Sequence, residues 1–257
     1  MASTHTSSFF IASIGNPGPT YYNTLHSAGH ILLRSFAELM NAGPFSPDPS
    51  LSNGLTAETY LPKTQSRLTL WQSPSYMNTS GPSLARAYKS WLARENIVPD
   101  IPVPPLGVGK KKAKGMKPMT HNRTTNLILL HDELERSYGN LFLRYGGPEM
   151  SSKGHNGIKS AVESLVKAKL LSSGGGGPSS KTPTALMRLA IGVGRPVSRE
   201  RDAVSDYLLK SISKSQHDAL AAKGTDLQQL LEREILRIYK AMEPDEPPAV
   251  LTGESRI

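Results

Sequence analysis

Two hydrophobic rhythms alternate along the chain. Four short apolar runs, Phe9 to Ile14, Leu68 to Trp71, Asn126 to His131 and Leu186 to Val193, are rich in β-branched, aromatic and other large apolar residues and read as buried strands. Between them the apolar positions recur three and four residues apart. AGHILLRSFAELM sets Ile31, Leu32, Phe36 and Leu39 on one helical face, and GPSLARAYKSWLAREN does the same with Leu84, Ala87, Tyr88, Trp91 and Leu92. GIKSAVESLVKAKLL repeats the pattern with Ile158, Val162, Leu165 and Val166, and a last helical segment is expected over Ser213 to Met242. Strands alternating with helices predict a layered α/β domain.

Two stretches break the alternation. Residues 98–124 join a proline-rich segment to a basic one, and residues 172–184, SSGGGGPSSKTPT, are low-complexity. Both read as insertions between elements, so the chain is expected to form one domain over 1–243. Residues 244–257 are too poor in apolar residues to fold alone and read as a flexible tail.

Composition narrows the chemistry. The 257 residues, 37% hydrophobic, suffice for a real core, and no apolar run reaches the roughly 18 to 20 residues of a membrane span. The first ten residues lack the charged start and long apolar stretch of a secretory signal. They also lack an Arg-rich presequence, so both cytoplasm and mitochondrion stay open. With no cysteine, disulfides, thiolate metal sites and a cysteine nucleophile are excluded, leaving His, carboxylates, amides and hydroxyls. Thirty Lys plus Arg against 21 Asp plus Glu, a formal charge of +9, favour a polyanionic partner, nucleic acid first.

Five polar residues sit beside strand or turn boundaries: Asn16 in IGNPG, His26 in NTLHSAGH, Asn78 in SYMNTSG, Asp132 in LILLHDEL and Asn156 in KGHNGIKS. Singly each has an ordinary structural role as turn residue, helix cap or strand-end acceptor. As a set they offer a hydrolytic site. An imidazole takes a proton from water at neutral pH, a carboxylate on its other nitrogen fixes the tautomer, and amides stabilise an oxyanion without adding charge. Asp132 is the natural partner for His26. A serine triad is disfavoured because no G-x-S-x-G elbow occurs, and metal hydrolysis because no H-E-x-x-H occurs.

The motifs GNPGPTYYNTLHSAGH, SYMNTSG, LILLHDEL, KGHNGIKS and RLAIGVGRP, in that order from about Phe9 to Leu209, resemble the bacterial-type peptidyl-tRNA hydrolase family. The resemblance implies a monomeric three-layer α/β enzyme with a twisted mixed sheet flanked by helices. It also implies cleavage of the ester between peptide and tRNA in peptidyl-tRNAs dropped by stalled ribosomes, with no cofactor, metal or membrane. By it, His26 is the base and Asp132 its support; Asn16, Asn78 and Asn156 contact the peptide and the tRNA 3′ end, and Tyr21 borders the entrance. Departures accompany it. The usual T-R-H-N is Thr24-Leu25-His26-Ser27, the glycine-rich lead into H-N-G is GGPEMSSKGHNG, and a lysine common on the following strand is Phe142. Phosphate contacts are therefore expected from Arg144, Lys153, Lys159 or Arg188, or from the Lys110 to Lys117 insertion. A catalytically silent RNA-binding relative is the alternative, disfavoured by the retained His26 and Asp132; a general esterase is disfavoured by the charge.

Overall fold

The computed structural model describes residues 7–95, 127–146, 150–171 and 186–242. Both insertions, the Lys110 to Lys117 segment and the tail from 244 lie outside the described residues. The strands are β1 (Ser8–Ser13), β2 (Ser46–Asp48), β3 (Gly54–Leu61), β4 (Ser66–Gln72), β5 (Leu127–Glu133), β6 (Leu141–Tyr145) and β7 (Leu186–Gly192). The helices are α1 (Ala28–Leu39), α2 (Ser80–Arg94), α3 (Asn156–Lys167), α4 (Arg201–Leu209), α5 (Lys214–Ala221) and α6 (Gly224–Met242). A seven-stranded mixed sheet runs β2-β3-β4-β1-β5-β7-β6. Its middle strands β4, β1, β5 and β7 are parallel, while β2, β3 and β6 join antiparallel at the margins.

The two-residue period of the strands divides the core. Phe9 and Ile11 of β1, Ile128 and Leu130 of β5, and Met187, Leu189 and Ile191 of β7 pack with residues of α1, α5 and α6. Their alternates Phe10, Ala12, Leu127, Leu129 and Leu186 pack with α2 and α3. Helices therefore cover both faces, and the middle strands are apolar throughout because neither face meets water. From β1 the chain runs out to β4 on one side, then crosses through α2 to β5 on the other. Strand order reverses at β1, and open α/β sheets bind ligands beyond the carboxyl ends of strands at such a point.

The structure corrects several expectations. The four expected strands are the four parallel ones; the margins were not expected, because β3 and β6 expose part of each face and their patterns, GLTAETYL and LFLRY, are mixed. On α1, Leu39 is exposed and Leu33 takes a place in the core. Val162 and Val166 are half-buried at the edge of the α2–α3 face. The segment 213–242 is two helices: Ser35 Oγ donates to the Ala221 carbonyl at 2.6 Å, satisfying the end of α5, and Gly224 opens α6 against α1. Helix α4 was also not expected; it has no fully buried residue and so no strong apolar stripe.

Candidate active site

Candidate residues lie in the loops after β1 and β4 and within the carboxyl end of β5. After β1, the chain turns through Gly15 to Thr24 into a 3-10 turn, Leu25–Ser27, that holds His26. This turn is fastened at several points. Leu25 is buried in the α1-side core, Thr24 Oγ1 donates to the Tyr21 carbonyl at 2.9 Å, and Asn23 exchanges hydrogen bonds with the backbone of Ile212. Ser27, where the family pattern has an amide, is buried and donates from Oγ to the Asn16 carbonyl at 3.4 Å. His26 and Asn16 are thus tied within one segment.

His26 meets Asp132 at the end of β5. Its Nδ1 lies 3.0 Å from Oδ1 and 3.1 Å from Oδ2 of a carboxylate that is only 2% exposed. A carboxylate accepts, so Nδ1 carries the proton and Nε2 has a lone pair; the side chain remains 18% exposed, open to a water. Burial alone would lower the His26 pKa, but the Asp132 charge and hydrogen bond outweigh it and raise the value above 6.5. For Asp132, burial opposes the charge, yet the two histidines beside it hold the carboxyl well below its usual range.

The second of those histidines is one that the sequence reasoning passed over. His155, immediately before α3, places Nε2 3.0 Å from Asp132 Oδ1, while its Nδ1 accepts from Ile158 N–H at 3.3 Å as the helix cap. The acceptor role of Nδ1 fixes the proton on Nε2, directed at Asp132. The available signal was the H-N-G motif itself, read for its asparagine alone. The cap is His155, so Asn156 is free of that ordinary role. His131 turns away: it is buried, bonds its Nδ1 to the Asp132 carbonyl oxygen at 2.8 Å, and burial chiefly pushes its pKa down to about 3.

The amides occupy two kinds of position. Asn16 is buried, and its Oδ1 accepts from Met77 N–H at 2.9 Å, which turns Nδ2 and its two donors the other way. Asn78, in the turn after β4, and Asn156, opening α3, are exposed and make no side-chain hydrogen bond among the described residues. The α3 start lies against the loops after β1 and β4: a Cβ on Gly157 would sit 2.4 Å from Met77 Sδ, 2.9 Å from Ile14 Cδ1 and 3.0 Å from His155 Cε1. Tyr21 is half-buried and meets exposed Tyr76 edge-on, with ring centroids 6.0 Å apart.

The basic candidates separate. Arg144 lies on β6 with its guanidinium 5.1 Å from the Phe142 ring centre, and Lys159 is exposed on α3. Lys153 Nζ is engaged by Glu133 at 3.2 Å. Arg188 is a correction. It is 3% exposed on the face of β7 that carries Leu186, with Nη1 directed at the Ser151 carbonyl, so it is an interior residue rather than a surface phosphate contact.

Ligand atoms of His26, Asp132 and His155 all lie within 4.8 Å of one another, a set that invites a divalent ion. The hydrogen bonds argue otherwise. Both nitrogens aimed at Asp132 carry protons, and freeing the His155 lone pair would move its proton against Ile158 N–H. A proton-bridged His26–Asp132–His155 set suits this geometry better than a metal.

The chain resembles known proteins over most of its length. The family model described as peptidyl-tRNA hydrolase matches residues 10–122 and 108–245. A probable peptidyl-tRNA hydrolase of Schizosaccharomyces pombe is 28% identical over 206 residues, 80% of this chain and 72% of its own length. A peptidyl-tRNA hydrolase of Mycobacteroides abscessus is 28% identical over 227 residues, 87% and 88% of the two chains. Among solved structures, a point mutant of the Acinetobacter baumannii peptidyl-tRNA hydrolase matches with a TM-score of 0.60 and 21% identity, covering 93% of this chain and 95% of that one; this likeness concerns the fold.

Proposed function

The chain belongs to the peptidyl-tRNA hydrolase family, and on that premise we propose that it cleaves the ester between peptide and tRNA with a water activated by His26. The observation that carries this reading is the His26 Nδ1–Asp132 contact at 3.0 Å, which leaves Nε2 as the acceptor on the open side. A water held there loses its proton to Nε2 as its oxygen attacks the ester carbonyl. The tetrahedral oxyanion is met by amide donors, with Nδ2 of Asn16 the best prepared because Met77 N–H already holds the other end of its side chain. As the ester C–O bond breaks, the proton on Nε2 passes to the departing ribose oxygen, and the peptide leaves as an acid. Asp132 stays ionised throughout and supports the transient imidazolium.

General-base catalysis of this kind is worth about 10²- to 10⁴-fold, so orientation must supply much of the rest. Exposed Asn78 and Asn156 at the lip suit the peptide and the tRNA 3′ end, and Tyr21 with Tyr76 offers flat apolar surface where a terminal nucleotide would pass. Arg144 and Lys159 are the better-placed phosphate contacts. The enzyme acts as a monomer on peptidyl-tRNA released from stalled or aborted ribosomes. Among the described residues no helix is long and apolar enough to cross a membrane.

Release of labelled peptide from peptidyl-tRNA by the purified protein, run beside small acyl esters, tests the reading. Rapid release from peptidyl-tRNA with little turnover of the small esters is expected. Equal turnover of both would point to a general esterase, and tight tRNA binding without release to a silent RNA-binding relative.

A further inference from the structure

Asp132 is shared between two histidines that introduce helices of opposite layers. His26 leads into α1, which packs with α5 and α6 on one face of the sheet; His155 leads into α3, which packs with α2 on the other. The His155 ring is engaged at both nitrogens, with Nε2 on Asp132 Oδ1 at 3.0 Å and Nδ1 on Ile158 N–H at 3.3 Å. The next residue is Asn156, whose side chain is exposed at the lip of the site.

We propose that His155 is a positioning residue that couples the substrate-holding Asn156 to the base, by fixing the start of α3 to the same carboxylate that orients His26. The inference rests on the reading of His26 as base and of Asn156 as a substrate contact. Its physical content is a shared acceptor. Oδ1 faces His155 Nε2–H and His26 Nδ1, each at 3.0 Å, so the contact from His155 restrains the carboxylate against turning and ties the plane in which it meets His26 to α3. The converse holds as well: the register of α3, and with it the aim of Asn156, is set relative to the base. Among the described residues, the titratable and charged groups around Asp132 are His26 from the 3-10 turn, His155 from the α3 lead-in and His131 of β5, with Arg188 of β7 beside His131.

Two substitutions separate this tether from the helix cap. In His155→Asn the side-chain oxygen stands near the former Nδ1 and caps α3, but nothing reaches Asp132. In His155→Gln the amide nitrogen stands near the former Nε2 and still donates to Asp132, while the cap is lost. Both purified variants are assayed for kcat, KM and the acid limb of kcat against pH, with peptidyl-tRNA as substrate. A tether predicts that His155→Asn loses about tenfold or more in kcat, since misplacement near 1 Å costs up to about 100-fold. It also predicts that the acid limb of His155→Asn moves to higher pH, because Asp132 without its second donor stabilises the His26 imidazolium more strongly. His155→Gln is expected to keep kcat within about threefold, with the acid limb unmoved. A wild-type kcat in His155→Asn would overturn the proposal, and so would equal losses in both variants with no movement of the acid limb. Either result leaves the base assignment standing if His26→Ala is inactive; an active His26→Ala would remove the base reading itself.

Discussion

Replacing Asp132 by Asn keeps the size of the side chain and removes its charge, and the structure dictates which way the new amide must face. His155 has its Nδ1 committed to Ile158 N–H, so its Nε2–H needs an acceptor, and that acceptor is the oxygen at the Oδ1 position 3.0 Å away. The amide NH₂ then occupies the Oδ2 position, which lies 3.1 Å from His26 Nδ1. Nδ1 then meets an amide donor at 3.1 Å and, at 3.0 Å, an oxygen already accepting from His155, so the tautomer in which Nδ1 accepts and the proton sits on Nε2, the nitrogen that should receive a proton from water, is favoured. The base is lost through its tautomer with little change in shape. General-base catalysis contributes about 10² to 10⁴ in rate, and a wrong-tautomer substitution reaches the upper end, so kcat should fall by about 10³- to 10⁴-fold. This amounts to about 4 to 5.5 kcal/mol of transition-state stabilisation. Single-turnover release of peptide from saturating peptidyl-tRNA measures it, and KM should change little. A kcat within threefold of wild type, or a loss confined to KM, would refute the tautomer argument.

The pH dependence follows from His26. Its raised pKa places the acid limb of kcat/KM above pH 6.5, with activity rising as pH passes the raised value and the imidazole becomes neutral. The stability contribution has the opposite sense: it is fully present below about 6.5 and is lost as pH rises through the folded value. An acid limb well below 6.5 would contradict both. Asn16→Ala removes the acceptor for the buried Met77 N–H and should cost about 1 to 3 kcal/mol in thermal or denaturant unfolding along with a loss of kcat; unchanged kcat would exclude Asn16 from the oxyanion contact. Gly157→Ala should destabilise by about 1 to 3 kcal/mol because its Cβ would meet Met77 Sδ at 2.4 Å, and a wild-type melting temperature would show that the α3 start is not tightly packed. Deleting residues 110–117 tests a tRNA clamp. Each lost phosphate contact should flatten the slope of log binding against log salt by about 0.9 for duplex, and an unchanged slope would sink the clamp.

The parts of the fold that were legible are those where one physical demand dominates. Phe9 to Ile14 and Leu186 to Val193 are apolar because both faces of their strands are covered, and such runs announce themselves. Gly54–Leu61 and Leu141–Tyr145 answer to solvent on part of each face, so no single rhythm survives in them. At the site, the pairing of His26 with Asp132 was legible because the two sit in recognisable motifs and an imidazole and a carboxylate complement each other chemically. His155 was hidden by its neighbour: Asn156 in the same motif carried an obvious function, and only the fold reveals that the ring reaches Asp132 from the opposite layer. Arg188 was misleading for a related reason. A charge on a strand suggests an exposed face, but this strand has none, and its guanidinium points inward.

The central claim is that His26 removes a proton from the attacking water. His26→Ala in a single-turnover assay on peptidyl-tRNA, with tRNA binding measured in parallel, tests it most directly. The account predicts a fall in peptide release of at least about 10²-fold with binding nearly unchanged. Release at the wild-type rate from the same variant would contradict it.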